Sequence, residues 1–227
     1  MSAASESAFR TRTAYHAGLL GGFSMLAAAF LVMGNIATRE AIEQRRAEDL
    51  LALLSQVVPA GIHDNDLLVD PITITEDDNA KVIIYRALQG TQVTGIAYEI
   101  VGQGYGGEIV LILAMDREGA ILGTRVLSHA ETPGLGDKIE ASRSDWILDF
   151  NGRSLTNPPL ERWGVKKDGG AFDQFTGATI TPRSVVRAIK EGLELFRDHR
   201  ETLLVSSVVH QAAVPNTGKQ QMPEGKP

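Results

Sequence analysis

From Ala17 to Ile36 the chain reads AGLLGGFSMLAAAFLVMGNI, twenty residues without one charged side chain. A helix rises 1.5 Å per residue, so this run measures about 30 Å, the thickness of bilayer hydrocarbon. Gly18, Gly21, Gly22 and Gly34 are compatible with a span, because glycine is common in membrane helices. A cleaved leader has a shorter apolar core, about 7–15 residues, and ends in a small-x-small site. Here the run is longer and closes on Asn35-Ile36-Ala37-Thr38, which suits cleavage poorly. A buried helix of a soluble domain would need folded chain on both sides, and only 16 mostly polar residues precede this one. The expectation is an uncleaved anchor in the lipid bilayer over residues 17–37, after a tip of residues 1–16. Arg10 and Arg12 lie before it and Arg39, Arg45 and Arg46 after it, so the charge bias does not choose a side.

The chain beyond the anchor is long enough for one domain of about 160 residues. The 227-residue chain has no cysteine, which excludes disulfides, thiolate zinc sites, cysteine-held iron–sulfur clusters and thiol nucleophiles. Five histidines (His16, His63, His129, His199 and His210) form no H-x-x-x-H pair, and no metal site is expected. A net charge of −6 argues against a nucleic-acid partner, whose phosphates require a basic face.

Residues 39–58 carry leucines and valines at helical spacing, and Pro59-Ala60-Gly61 ends that pattern. The acidic stretch 63–80, broken by Pro71, reads as loop with one short strand, completing a helical linker and loop over 38–80. Four β-type runs come next at 81–88, 94–101, 109–115 and 121–128, the last two joined by the hairpin turn Asp116-Arg117-Glu118-Gly119. A helix is expected over 137–150, a loop-and-strand region over 163–175 and a final helix over 181–204. Residues 206–227, rich in Pro, Gln, Gly and Lys, read as a disordered tail. Strands in hairpins with helices set apart predict an α+β domain over 81–205, an antiparallel sheet with flanking helices.

Three segments have the composition of a site. Gly102-Gln103-Gly104-Tyr105-Gly106-Gly107 matches G-x-G-x-x-G, but a strand-like run comes after it where a dinucleotide fold requires a helix. It is either a turn between strands or a turn where a ligand approaches the backbone. Ser128-His129-Ala130-Glu131-Thr132-Pro133-Gly134-Leu135-Gly136-Asp137-Lys138 is either a connecting loop with a helix cap at Asp137 or, through His129, Glu131, Thr132 and Leu135, a polar and apolar edge for a ligand. In Asp173-Gln174-Phe175-Thr176-Gly177-Ala178-Thr179-Ile180-Thr181-Pro182, Thr181 suits an N-cap and Pro182 the first helical position. That is either an ordinary capped helix or a phosphate site at the helix N-terminus, with the Thr179 hydroxyl beside it.

The run D-Q-F-T-G-A-T at 173–179 resembles the flavinylation motif of the FMN-binding domain family, an aspartate followed by S/T-G-A-T. In that family the last threonine carries FMN through a phosphoester, installed from FAD by a flavin transferase. The resemblance implies covalent FMN on Thr179, with Asp173, Thr176, Gly177 and Ala178 as the recognition residues around it. Glu131, Thr132, Gly134 and Leu135 fall in a run similar to the family's second signature, near the flavin ring. Gly104 and Tyr105 resemble its glycine-aromatic turn. The layout over about residues 10–205 also resembles the G subunits of bacterial Rnf complexes, ion-coupled ferredoxin:NAD oxidoreductases, and the related C subunits of sodium-translocating NADH:quinone reductases. The resemblance implies an electron-transfer subunit with no catalytic residues of its own. Its partners would be the other membrane and iron–sulfur subunits, in the bacterial inner membrane, with the soluble domain facing the periplasm and the tip in the cytoplasm. A membrane-tethered interaction module without cofactor is the contrasting expectation, and such a protein would stay colourless.

Overall fold

The computed structural model describes residues 3–69, 71–75 and 81–205. The expected tail over 206–227 therefore lies outside the described residues. Helix α1 runs over Ala3–Val57, passing through the apolar stretch and the amphipathic stretch after it as one element. The chain divides into two compact units, Met1–Asp49 and Leu50–Pro227. In the first, α1 exposes large apolar side chains, among them Leu20, Phe23, Met25 and Leu31. It is the one described helix long and apolar enough to cross a membrane.

The second unit is built on alternation. Strands β1 (Ile72–Thr75), β2 (Lys81–Gln89), β3 (Gln92–Gln103), β4 (Glu108–Asp116) and β5 (Ile121–Ser128) form one antiparallel meander in the order β1-β2-β3-β4-β5. The fold is thus the expected α+β class. From β2 to β5 every connection between neighbours is a short turn, which fixes the register. At the β4–β5 turn the Asp116 carboxylate accepts the N–H groups of Glu118 and Ala120 at 2.9 and 2.8 Å.

Side chains alternate across the sheet, so each face carries its own core. On one face Ile84, Ile96, Tyr98, Leu111, Leu113 and Met115 meet Val185, Ile189, Leu193 and Phe196 of helix α2 (Ile180–Leu203). Each such burial stabilises by about 1.5–3 kcal/mol. On the other face Leu54, Val57 and Val58, at the end of α1, cover Tyr85, Ala87, Ala97, Ile112 and Ala114. Gly123 permits that approach, since a β-carbon there would lie 2.9 Å from the Val57 backbone. The Tyr98 hydroxyl crosses the first core to donate to the Gly192 carbonyl of α2. Tyr98→Phe is expected to lower unfolding free energy by about 1 kcal/mol, read from the denaturation midpoint.

Residues 137–150 depart from the expected helix. They form two short 3₁₀ turns, Asp137–Ile139 and Asp145–Phe150. Serine and aspartate compete locally for backbone groups, and here Ser144 accepts the Trp146 N–H at 3.2 Å, starting the second turn afresh. The burial of Trp146, Ile147 and Phe150 then anchors the segment to the core.

Candidate functional site

The segment ahead of α2 is held from below by aromatic rings. Phe150 stacks on Phe172 with centroids 4.5 Å apart, Trp146 meets Phe150 edge-on at 5.2 Å and Phe175 at 5.0 Å, and Trp163 lies 5.0 Å from Phe172. The Trp146 indole donates to the Asp173 carbonyl at 2.8 Å, pinning the start of the D-Q-F-T-G-A-T run. With Phe175 buried, the chain turns back over Thr176 and Gly177, and the Ala178 N–H reaches the Phe175 carbonyl at 3.3 Å. Gly177 takes φ +87°, a left-handed conformation that glycine adopts without strain.

Helix α2 begins at Ile180, directly after Thr179, as its sequence suggests. The capping differs. Thr179 occupies the cap position and its side chain makes no capping bond. Thr181 lies inside the first turn, because its hydroxyl is drawn to the Glu131 carboxylate 50 residues earlier in the chain. Pro182 takes the third helical position instead of the first. The N–H groups of Ile180 and Thr181 therefore have no intrahelical acceptor, and Pro182 has none to offer. Beside these donors the half-buried Thr179 hydroxyl has no hydrogen-bond partner among the described residues.

Both features open on a cleft of about 490 Å³ lined by Tyr105, Glu131, Thr132, Leu135, Gly136, Gly177, Ala178, Thr179, Ile180 and Thr181. That volume falls within the range of small-molecule sites, about 300–1,000 Å³. Three turns distant in sequence form its walls. Tyr105 stands on the β3–β4 turn, exposed at 73%; Leu135 leaves the 129–136 loop at 43% and Ile180 the head of α2 at 49%. These supply apolar surface, while the free amides of α2 and its dipole favour an anionic group at the helix head. A phosphate-bearing, ring-containing ligand fits that division.

Of the residues singled out in the sequence, Tyr105, Glu131, Thr132, Leu135, Gly177, Ala178 and Thr179 come together around the cleft. Asp173, Thr176, Gly134 and Gly104 are not among its lining residues. The Asp173 carboxylate is exposed and pairs with Lys166 at 2.7 Å, while Thr176 and Gly134 are exposed. Gly104 sits behind the wall, where a β-carbon would fall 2.2 Å from Glu131 Oε1. At Gly106 one would fall 1.9 Å from the Ala130 carbonyl. The glycines of this turn thus admit the neighbouring loop of the same chain. Gly136, Ile180 and Thr181 also line the cleft; they lie inside the two candidate segments, although the sequence singles out none of them as a ligand contact.

His129 and Glu140 brace the 129–136 loop. His129 Nε2 lies 2.7 Å from Glu140 Oε1, and Ser142 donates to the other oxygen at 3.0 Å. The hydrogen bonds from His129 and Ser142 hold the Glu140 carboxyl below its ordinary value of 4.5. A depressed acid stabilises the fold above the unfolded-state value and loses that contribution as pH falls through the folded one. The stability advantage of the native chain over Glu140→Gln is therefore expected to hold at neutral pH and shrink below about pH 4.5, in denaturation curves taken across that window.

The matched domain model spans all these walls: the family described as FMN-binding domain aligns with residues 104–194. Fold, cleft and match define an FMN-binding domain. Among curated relatives, the G subunit of the ion-translocating oxidoreductase complex of Cereibacter sphaeroides is 54% identical over 186 residues, covering 82% of this chain and 85% of its own. The G subunit of the same complex from Stutzerimonas stutzeri is 48% identical, covering 82% of each chain. This chain belongs to that family of G subunits. Among solved structures, the C subunit of the Na⁺-translocating NADH-quinone reductase from Parabacteroides distasonis aligns at a TM-score of 0.48 and 17% identity, over 69% of this chain and 94% of the other.

Proposed function

We propose that this chain is the membrane-anchored flavoprotein subunit of an Rnf-type ion-translocating oxidoreductase complex, relaying electrons through FMN esterified to Thr179. The observation that carries the reading is the Thr179 hydroxyl, without a hydrogen-bond partner among the described residues and set beside the free amides of α2 in the lining of the cleft. When bound, FMN supplies one-electron exchange, which suits a relay between one-electron centres. With no cysteine to hold an iron–sulfur cluster, the chain needs an organic redox group.

Each wall then has a duty. Ile180 and Thr181 N–H groups take the phosphate end, and Tyr105, Leu135 and Ile180 offer apolar surface to the ring system. Asp173 and Thr176, exposed beside the cleft, are placed for a flavin transferase to read. In the attachment step Thr179 Oγ forms the new phosphorus–oxygen bond to the FMN phosphorus of FAD, the pyrophosphate bond breaks, AMP leaves and the hydroxyl proton is released. Thr179 acts once, in maturation, and turnover needs no acid, base or nucleophile from the chain.

The exposed apolar surface of α1 supports an anchor over residues 17–37. The family resemblance supports the inner membrane for that anchor, with the flavin domain on the periplasmic side. Complex subunits holding iron–sulfur centres would be the electron partners. Full-length protein co-expressed with a flavin transferase is expected in the membrane fraction, yellow, with the mass of one FMN added. Colourless protein of unmodified mass would overturn the reading.

A further inference from the structure

Glu131 is 6% exposed although the four residues after it, Thr132 to Leu135, are all exposed. A buried carboxylate is costly unless its oxygens find donors. Both do. Oε1 accepts the Gly106 N–H at 2.9 Å and Oε2 accepts the Thr181 hydroxyl. The Glu131 backbone N–H donates to His129 Nδ1 at 3.0 Å, which leaves the ring proton on Nε2 for Glu140. Gly136 completes the seat, since a β-carbon there would lie 2.8 Å from Oε2. One side chain thus ties together the β3–β4 turn, the 129–136 loop and the head of α2, three segments that are far apart in sequence.

The charge is as informative as the bonds. Both donors are neutral, and no cation pairs with Glu131 among the described residues. The dipole at the head of α2 offsets part of the charge, about half an elementary charge in an ideal helix. An anion lining the cleft opposes the arrival of further negative charge.

We propose that Glu131 is the positioning residue of this site: its carboxylate clamps the three walls of the cleft in register, and its charge, only partly offset, lowers the reduction potential of the redox group held there. The clamp is independent of what the cleft holds. The effect on potential rests on the FMN reading above.

The test uses the full-length chain in detergent, with Glu131→Gln and Glu131→Ala. Glutamine keeps an oxygen for Gly106 and an N–H for the Thr181 oxygen, without charge. In protein made without the transferase, Glu131→Ala is expected to speed hydrogen exchange about tenfold or more in all three segments, 104–107, 129–136 and 180–184. Glu131→Gln should stay within about threefold of wild type. Faster exchange confined to 129–136 would overturn the clamp, and so would a Glu131→Ala pattern like that of wild type. Should the alanine variant fail to fold, Thr181→Val, which removes one donor, is expected to loosen 129–136 as well as its own turn. In flavin-loaded protein, Glu131→Gln is expected to raise the midpoint potential at unchanged flavin content per chain. An unchanged or lowered potential overturns the electrostatic part. Failure of the FMN reading looks different: wild type itself gains no flavin, which removes the electrostatic part while the exchange measurement still decides the clamp.

Discussion

Thr179→Ala is expected to abolish covalent flavin, from one FMN per chain to none, when the full-length variant is co-expressed with a flavin transferase and weighed intact. Alanine removes the hydroxyl assigned to the ester and leaves the rest of the cleft standing. Stability should hardly change, within about 0.5 kcal/mol, because the Thr179 side chain makes no capping bond in the native fold. Loss of flavin at unchanged stability separates this variant from any that merely damages the fold. The nearby threonines sharpen the test. Thr181 is engaged by Glu131, and Thr132 stands exposed in the lining from the 129–136 loop. FMN recovered on a Thr132 or Thr181 peptide, or undiminished in Thr179→Ala, would contradict the assignment. Thr179→Ser keeps a hydroxyl at the same position and is expected to retain flavin.

The sheet was legible because its information is local. Runs at 81–88, 94–101, 109–115 and 121–128 alternate or stay apolar over strand-length windows, and the expected boundaries fall within three residues of β2 to β5. The start of α2 was legible to within a residue or two for the same reason, from Thr181 and Pro182 read as the opening of a helix. The features that could not be read are long-range. Thr181 looked like a cap because Ser and Thr before an apolar run usually are caps. Its actual partner, Glu131, lies 50 residues away, and no periodicity reports such a pair. Likewise the glycines at 102, 104 and 106 suggested space for a ligand, yet Ser184, Glu131 and Ala130 of the same chain occupy it. The segment 137–150 has a helical share of apolar residues, but Ser142, Ser144 and Asp145 favour local turns, and tertiary burial of Trp146 and Phe150 decided the outcome. The family motifs single out Thr179 and Glu131, and the structure brings both to the lining of one cleft.

Phe150→Ala is the substitution expected to cost most in stability, about 3–5 kcal/mol by urea denaturation. The ring is fully buried, stacked on Phe172 and flanked by both tryptophans, so the surroundings cannot collapse readily into the space left. The consequence should reach the site. Phe150 supports Trp146, Trp146 holds the Asp173 carbonyl and packs on Phe175, and Phe175 closes the turn that sets Gly177, Ala178 and Thr179 at the cleft. Incomplete flavin incorporation is therefore expected in Phe150→Ala at temperatures where the variant is still folded. Trp146→Phe provides the contrast. It retains an aromatic ring but removes the donor to Asp173, at a cost of about 1 kcal/mol. Reduced incorporation in Trp146→Phe at nearly native stability would show that the aromatic floor acts by placing the 173–179 run. Full incorporation in both variants would show that the run holds its conformation without that support.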